Sequence, residues 1–370
     1  MKKKIGIDAR PLEVNEGGIK RYFTETVSKL VKNDDFVFVL YFDNKPLELP
    51  SWTQSHNVET RRMWNARISK LLWHIIVPHW ARKDQIDLFW SPRHHLPLIL
   101  PRNCKSLLTI HDLIWKTHPD TMPLVNFLSE KLLMPLSIKQ ADRIICVSHT
   151  TKKQLDNYFP NQLGKTNVIY NGQDAIKQSK NTDGDSKPNP NHEGKNYFLC
   201  VGTLEPRKNY SRLVYAFQDY IKNGGGQNLI IVGKQGWKFK SLFKEITSLD
   251  CASQISVLKN VDDLELQRLY SQASGFISVS LDEGFGIPAL EASSFGLPLL
   301  LSDIDIYREL FYADIWVSPL SVEKISQALT KLQSLPSLRS SQNRKLGACT
   351  WDISANKHIE SIKKLVSLNS

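Results

Sequence analysis

Two glutamates, Glu283 and Glu291, stand eight positions apart in SLDEGFGIPALEASSFGLP, with Gly284, Gly286 and Pro288 between them. One regular helix cannot run through that composition, because glycine weakens a helix interior and proline belongs at a helix start. The stretch reads instead as the exit of the strand GFISVS, then a loop carrying Glu283, then a helix opening at Pro288 and ending at Gly296. Glu291 falls in the first turn or so of that helix. Ionised carboxylates accept hydrogen bonds from vicinal hydroxyls, and glycines let backbone N–H groups approach a ligand. The pair suits recognition of a sugar; the alternative is an acid–base couple that hydrolyses glycosides. A second constellation, Glu205-Pro206-Arg207-Lys208-Asn209, follows the apolar run YFLCVGTL. A planar guanidinium next to a point-charge ammonium, between a strand and a helix start, makes a diphosphate clamp or else an exposed basic turn. Glycoside hydrolysis would leave those cations and the glycines without a task.

Other strand exits carry weaker signals. Gly17 and Gly18 precede the helical pattern GIKRYFTETVSKLVKN, where free N–H groups and the positive end of the helix dipole suit a phosphate, or where the chain merely turns into a helix. His111 follows SLLTI and could hydrogen-bond a substrate or carry a proton, or be satisfied within its own loop. His94, His95, His111, Asp112 and His118 are close enough in sequence to raise a metal site. They lack the HxxxH spacing of a helical ligand pair, and neighbours such as His94 and His95 point apart in a strand or a helix. No metal and no cofactor are expected.

The elements that must hold these residues alternate between strand and helix along 370 residues, more than one core normally serves. KKIGID, FVFVLYF, IDLFWS, SLLTIHDL, RIICVS and NVIYNG read as strands in the first half; YFLCVGTL, NLIIVGK, QISVLKNV, GFISVS and LPLLLSD do so in the second. Helical spacing separates them, with Asp262 and Glu265 as a capping box before ELQRLYSQA. Strands apolar on both faces, each followed by a helix, indicate parallel βαβ units. The fold class is α/β, two Rossmann-like domains with a cleft between them. Lys177–Asn196 has no large apolar residue and reads as a loop or linker. The expected domains are 1–176, a linker at 177–196, 197–350, and a last segment at 351–370.

Hydrophobic residues make up 41% and charged residues 23%, the balance of a globular chain. No segment approaches the run of apolar residues that spans a membrane or forms a signal peptide, and the five cysteines have no CxxC spacing, so a cytoplasmic protein is expected. Residues 1–172 carry 25 Lys+Arg against 16 Asp+Glu, most of the net +11. That surplus suggests an anionic partner: membrane surface, nucleic acid or phosphorylated substrate. The Trp-rich basic stretch WNARISKLLWHIIVPHWARK could lie at a membrane surface or form a core helix with a solvated basic edge.

With VGTLEPRKN and EGFGIPALE in hand, the chain resembles the retaining GT-B glycosyltransferases of family 4, also called group 1. GIDARPL with Gly17-Gly18, TIHDL, ICVSHTTKKQL and NVIYNG match that family in the same order, from Gly6 to about Glu360. The resemblance implies that Arg207 and Lys208 hold the donor diphosphate and that Glu291 binds the ribose. It implies that Glu283, with Gly284, Phe285 and Gly286, binds the transferred sugar, with Gly202 and Ile287 among the donor contacts. It implies that Gly17 and Gly18 approach the phosphate, that His111 contacts the sugar, and that a helix from about Trp351 returns to the first domain. It further implies retention without a side-chain nucleophile or a metal.

The expected function is transfer of a hexose from a nucleotide-diphosphate sugar to a lipid-linked oligosaccharide or polysaccharide acceptor in cell-surface glycan synthesis. Mannose from GDP-mannose is the favoured donor; glucosyl, galactosyl, rhamnosyl and N-acetylhexosaminyl donors stay open. The basic first half suits peripheral association with an anionic membrane at the inner face of the plasma membrane. The competing readings are a GT-B epimerase or phosphorylase, a non-catalytic sugar-nucleotide sensor, and a nucleic-acid-binding protein; no nucleic-acid partner is expected.

Overall fold

The computed structural model describes residues 2–14, 17–44, 46, 48–62, 69–172, 196–335, 345 and 349–367. Its residues fall into two units. Those within Met1–Trp115, Leu124–Gly172 and Cys349–Ser370 form the first, and those within Lys116–Pro123 and Gln173–Ala348 the second. The stretch read as a linker lies outside the described residues, apart from Asn196.

The first unit is built on β1 (Lys3–Asp8), β2 (Phe36–Phe42), β3 (Val58–Arg62), β4 (Leu88–Ser91), β5 (Lys105–Ile110), β6 (Arg143–Cys146) and β7 (Thr166–Val168). They form one parallel sheet in the order β3-β2-β1-β4-β5-β6-β7. Apolar runs such as FVFVLYF are buried on both faces because helices cover both sides. The edge strand β3, VETRR, has no apolar run and escaped the sequence reading; its pairing with β2 makes it a strand.

The second unit holds β8 (Tyr197–Val201), β9 (Asn228–Val232), β10 (Ile255–Leu258), β11 (Gly275–Ser278), β12 (Leu299–Ser302) and β13 (Ile315–Val317). They form a parallel sheet ordered β10-β9-β8-β11-β12-β13. The short β13 and the helices Phe239–Ser248 and Val322–Ser334 were not anticipated. Asp262 caps the helix Asp263–Gln272 by accepting from the Glu265 N–H at 2.8 Å, while the Glu265 side chain accepts from Arg268, so only one half of the capping box forms.

The helix Trp351–Ser367 belongs to the first unit and packs on the helix Gly18–Leu30. Trp351, Ala355, Ile362 and Leu365 share one core with Tyr22, Phe23, Val27 and Leu30. A directed hydrogen-bond chain runs through that core. The His358 Nδ1–H donates to the Ser354 carbonyl at 2.8 Å, which leaves Nε2 to accept from the Tyr22 hydroxyl at 2.7 Å. Thr109 Oγ1 lies 3.2 Å from the Tyr22 hydroxyl and accepts from the Trp90 indole at 3.0 Å. Burial pushes His358 down to about 4, so it accepts as a neutral ring. Among the described residues no helix is long and apolar enough to cross a membrane.

Tyr22→Phe leaves the buried His358 Nε2 without its donor, and the first unit should lose about 1–3 kcal/mol. Urea denaturation followed by tryptophan fluorescence measures this; an unchanged midpoint would remove the chain of bonds from the supports of the fold.

Candidate functional site

In the second sheet the strand order reverses between β8 and β11, and ligands of open α/β sheets bind outside the carboxyl ends of the strands at such a switch point. The segments leaving those two strands carry the two motifs with the strongest chemistry. Beyond β8 the chain passes Gly202, forms a 3-10 turn at Pro206–Lys208 and enters the helix Tyr210–Lys222. Asn209, in the left-handed region, donates from Nδ2 to the carbonyls of Val279 at 3.0 Å and Pro319 at 2.7 Å. The Leu281 N–H donates to the Arg207 carbonyl at 2.9 Å. These bonds lock the β8 exit to the β11 exit.

The side chains between them form one ionic cluster. Arg207 Nη1 donates to Glu283 Oε2 and to the Asp282 carbonyl, both at 2.7 Å, and Nη2 donates to Glu205 Oε1 at 2.6 Å. Lys208 Nζ donates to Glu283 Oε1, which also accepts from Ser280 Oγ at 2.8 Å. Burial alone would raise the Glu283 carboxyl, but the charges of Arg207 and Lys208 outweigh it and hold the group at about 2. Asp282 takes part as well: Oδ1 accepts from the Glu283 N–H at 2.8 Å and Oδ2 from Thr117 Oγ1 at 2.6 Å.

Gly286 adopts φ 83°, ψ 46° and caps the helix Ile287–Ser294. A side chain there would be strained, and its Cβ would stand 2.6 Å from the buried Tyr307 ring. The helix therefore begins at Ile287, which makes Pro288 its second residue rather than its first. It closes at Gly296, with bonds from Gly296 N to Ser293 O at 3.1 Å and from Leu297 N to Ala292 O at 3.2 Å. Glu291 lies in the second turn, buried, and accepts from the Tyr270 hydroxyl at 2.8 Å. Phe285 is buried beside Gly284 and Gly286. Sequence reasoning missed Ser280, Asp282, Tyr270 and Tyr307. The first two stand beside Glu283 and could have been found there; the two tyrosines are brought in by the fold alone.

In the first unit, Gly17 and Gly18 form the exposed N-terminus of the helix Gly18–Leu30, with no side-chain cap. A Cβ added at Gly18 would meet nothing within 4 Å. His111, at the exit of β5, is buried with its ring edge on Tyr22 at 4.8 Å. Its Nε2–H donates to the Pro92 carbonyl at 2.8 Å, which leaves Nδ1 as an acceptor. Burial first, and then the neighbouring His94, push the ring down to about 3. His111 is therefore neutral near pH 7 and suited to hydrogen bonding rather than to carrying a proton.

The expectation that His94 and His95 point apart is overturned. The chain is irregular after β4, and both rings reach one Glu130 oxygen, His94 Nδ1 at 3.4 Å and His95 Nε2 at 3.1 Å. His94 Nε2 accepts the His111 N–H at 3.1 Å. His118 belongs to the second unit and lies 3.6 Å from Asp282. Among the described residues no three His, Cys, Asp or Glu side chains gather as a metal-ligand set.

The family model described as Glycosyltransferase Family 4 matches residues 16–176, and that described as Glycosyl transferases group 1 matches residues 181–346. The chain is similar to the O-antigen chain mannosyltransferase RfbU of Salmonella typhimurium, at 27% identity over 310 residues that cover 80% of each chain. It is similar to the O-antigen chain mannosyltransferase B of Escherichia coli, at 29% identity over 262 residues, 69% of this chain and 67% of that protein. In fold it is similar to sucrose-phosphate synthase from Thermosynechococcus elongatus, with a TM-score of 0.77 at 16% identity, covering 99% of this chain and 100% of that one. The two parallel, Rossmann-like units are those of the GT-B fold.

The depressed carboxyl of Glu283 carries a pH signature. Its folded value lies below the ordinary 4.5, so its stabilisation is present above that value and is lost as pH falls toward about 2. Unfolding free energies from urea denaturation between about pH 6 and about pH 3 should fall further in the wild type than in Glu283→Gln, by about 2 kcal/mol over the range. Parallel slopes would show that the ion cluster does not hold in solution.

Proposed function

The chain belongs to the family 4, group 1 glycosyltransferases, and on that premise we propose that it moves mannose from GDP-mannose, with retention of configuration and without a divalent metal, to a glycan acceptor. The acceptor is a lipid-linked oligosaccharide or polysaccharide of the cell surface. The O-antigen mannosyltransferases to which the chain is similar support both the sugar and the acceptor class. The observation that carries the reading is Glu283 held between Arg207 and Lys208 where β8 and β11 diverge.

In this reading Arg207 and Lys208 take the donor diphosphate and stabilise the charge that grows on it as the glycosidic bond breaks. They supply the positive charge that a metal would otherwise bring. Glu283 and the backbone of Gly284, Phe285 and Gly286 hold the hydroxyls of the transferred sugar. Glu291 binds the ribose, and Gly202 and Ile287 line the donor. In the first unit, the exposed helix start at Gly17 and Gly18 serves a phosphate, and the neutral Nδ1 of His111 accepts a hydroxyl. The sugar passes through an oxocarbenium-like state. The acceptor oxygen attacks from the face that the diphosphate leaves, and a departing phosphate oxygen receives the acceptor proton. We place the protein in the cytoplasm, peripheral at the inner face of the plasma membrane; an odd number of cysteines with no CxxC spacing supports the reducing compartment.

A panel of nucleotide sugars read by thermal shift and by nucleotide release, with the product anomer assigned by NMR, tests this. GDP-mannose should stabilise the protein and turn over, chelation with EDTA should leave the rate unchanged, and Glu283→Ala should lower kcat/KM by about a hundredfold or more. If no donor in the panel binds or turns over, the proposal falls; if EDTA abolishes turnover and a divalent metal restores it, the metal-free mechanism falls.

A further inference from the structure

The first sheet reverses its strand order between β1 and β4, so the exits of those two strands lie side by side at a second switch point. Each exit carries an arginine. Arg10, beyond β1, is fully engaged. Its Nε and Nη2 donate to the two Asp8 oxygens at 2.9 and 2.7 Å, Nη1 lies 3.9 Å from Asp43, and the guanidinium covers the Trp73 ring at 3.7 Å. Arg93, beyond β4, is not. Among the described residues its guanidinium makes no hydrogen bond and no ion pair. It is partly exposed, so a ligand can reach it. The backbone that carries it is fixed from two sides. Ser91 Oγ lies 2.5 Å from the Arg93 carbonyl and 2.7 Å from the His95 carbonyl, and the Pro92 carbonyl accepts the His111 Nε2–H at 2.8 Å.

The acids around Arg93 are committed elsewhere. Asp8 is held by Arg10, and Glu130 lies against His94 and His95 at 3.4 and 3.1 Å. Glu13 accepts the N–H groups of Asp43 and Asn44 at 2.6 and 2.8 Å. Burial first, and then the Arg10 charge, push Arg93 below its ordinary value, although Asp8, Glu130 and Asp43 pull the other way. Its charge is therefore under-compensated, and such a charge works against the folded state. A guanidinium kept in that condition, on a fixed loop at a strand exit, suits an oxyanion. Its planar fork matches phosphate or carboxylate with two parallel hydrogen bonds. The same loop runs on to Leu98 and Ile99, whose aliphatic side chains are exposed, Ile99 by 72%. An oxyanion that carries an apolar chain fits those neighbours better than a sugar carboxylate does.

We propose that Arg93 holds the phosphate that joins the acceptor saccharide to its lipid, so that the enzyme works on a short lipid-linked saccharide near its phosphate end. This rests on the lipid-linked acceptor of the proposed function and names the residue that reads its charge. The loop geometry sets the length. Arg93 follows Pro92, which binds the His111 ring, and His111 is the group assigned a hydroxyl. A phosphate on Arg93 and a hydroxyl on His111 are thus read from one pinned corner of the first unit, which limits the sugars that fit between them. A long polysaccharide presents its growing end far from any phosphate and leaves Arg93 unanswered. The donor cations Arg207 and Lys208 are a separate set, in the second unit and already bonded to Glu205 and Glu283.

Isothermal titration of the full chain with geranyl diphosphate, in an excess of GDP, tests it; GDP affinity is measured first on the same protein. Geranyl diphosphate should bind the wild type, inorganic pyrophosphate should bind more weakly, and geraniol should not bind. Arg93→Gln should weaken geranyl diphosphate by about tenfold or more, and Arg93→Lys, which keeps the charge without the fork, by less. Arg93→Gln should also melt no lower than the wild type, because it removes a charge that nothing offsets. That readout separates ligand binding from support of the fold. The proposal is overturned if geranyl diphosphate binds neither protein or binds both equally, or if Arg93→Gln melts well below the wild type. Equal binding of pyrophosphate would make this a free-anion site, and tighter binding of glucuronate a site for an acidic sugar; either result overturns the assignment to a lipid phosphate. If GDP itself does not bind, the functional reading falls, while the titration run without GDP still decides the role of Arg93.

Discussion

A carboxylate held between a guanidinium and an ammonium, almost out of water, is the interaction on which the second unit's site depends. Taking such charges from solvent costs several kcal/mol per ion, and only close pairing offsets it. Arg207, Lys208, Glu283 and Glu205 meet that demand by balancing one another, two cations against two acids, at 6–14% side-chain exposure. Ser280 and the Asp282 carbonyl satisfy further positions on the acid and the guanidinium. Those carboxylates hold both cations in fixed orientation, so the cluster is preorganised. Preorganised charge stabilises a developing anion without reorganisation during the reaction.

That cluster exists because the strand order reverses where it does. β8 and β11 are neighbours in the sheet although β9 and β10 intervene in the chain. Their exit loops therefore meet, and the bonds from Asn209 to Val279 and from Leu281 to Arg207 fasten them. The first sheet repeats the geometry with β1 beside β4. At its exits lie the Arg10–Asp8 pair, bonded at 2.9 and 2.7 Å, and the cluster of His94, His95 and Glu130. The His94 bond to the His111 backbone ties that cluster to the exit of β5, while Tyr22 and His358 pack and bond behind the ring. The last helix of the chain thus supports the surroundings of His111 from the far end of the sequence.

Much of the fold was legible because its signals are local. FVFVLYF, NLIIVGK and LPLLLSD are apolar without interruption, which only a strand covered on both faces accommodates. Strand β3 was not legible, since VETRR becomes a strand only when β2 offers it partners. The helix Phe239–Ser248 was passed over because the glycine-rich turn and the lysines ahead of it obscure its start, which Lys238 makes in the left-handed region without a side-chain cap. His94 and His95 were misjudged because side-chain direction was argued from regular periodicity, which an irregular segment does not obey. FLSEKLLMPLSIKQA announces a helix, Leu124–Gln140 in the structure, but not which of its two apolar faces the core will take.

The sequence by itself determined the strand and helix rhythm, the two parallel αβ units, and the positions of Arg207, Lys208 and Glu283 in the segments that leave strands. Each of these follows from residue type and spacing within a few positions. Only the tertiary structure decided that Glu283 is bonded to both cations, that Glu291 is engaged by Tyr270, and that His111 stays neutral. Contact between Lys208 and Glu283 needs two strand exits brought side by side, and a pKa depends on the burial and charge around a group rather than on its neighbours in the chain.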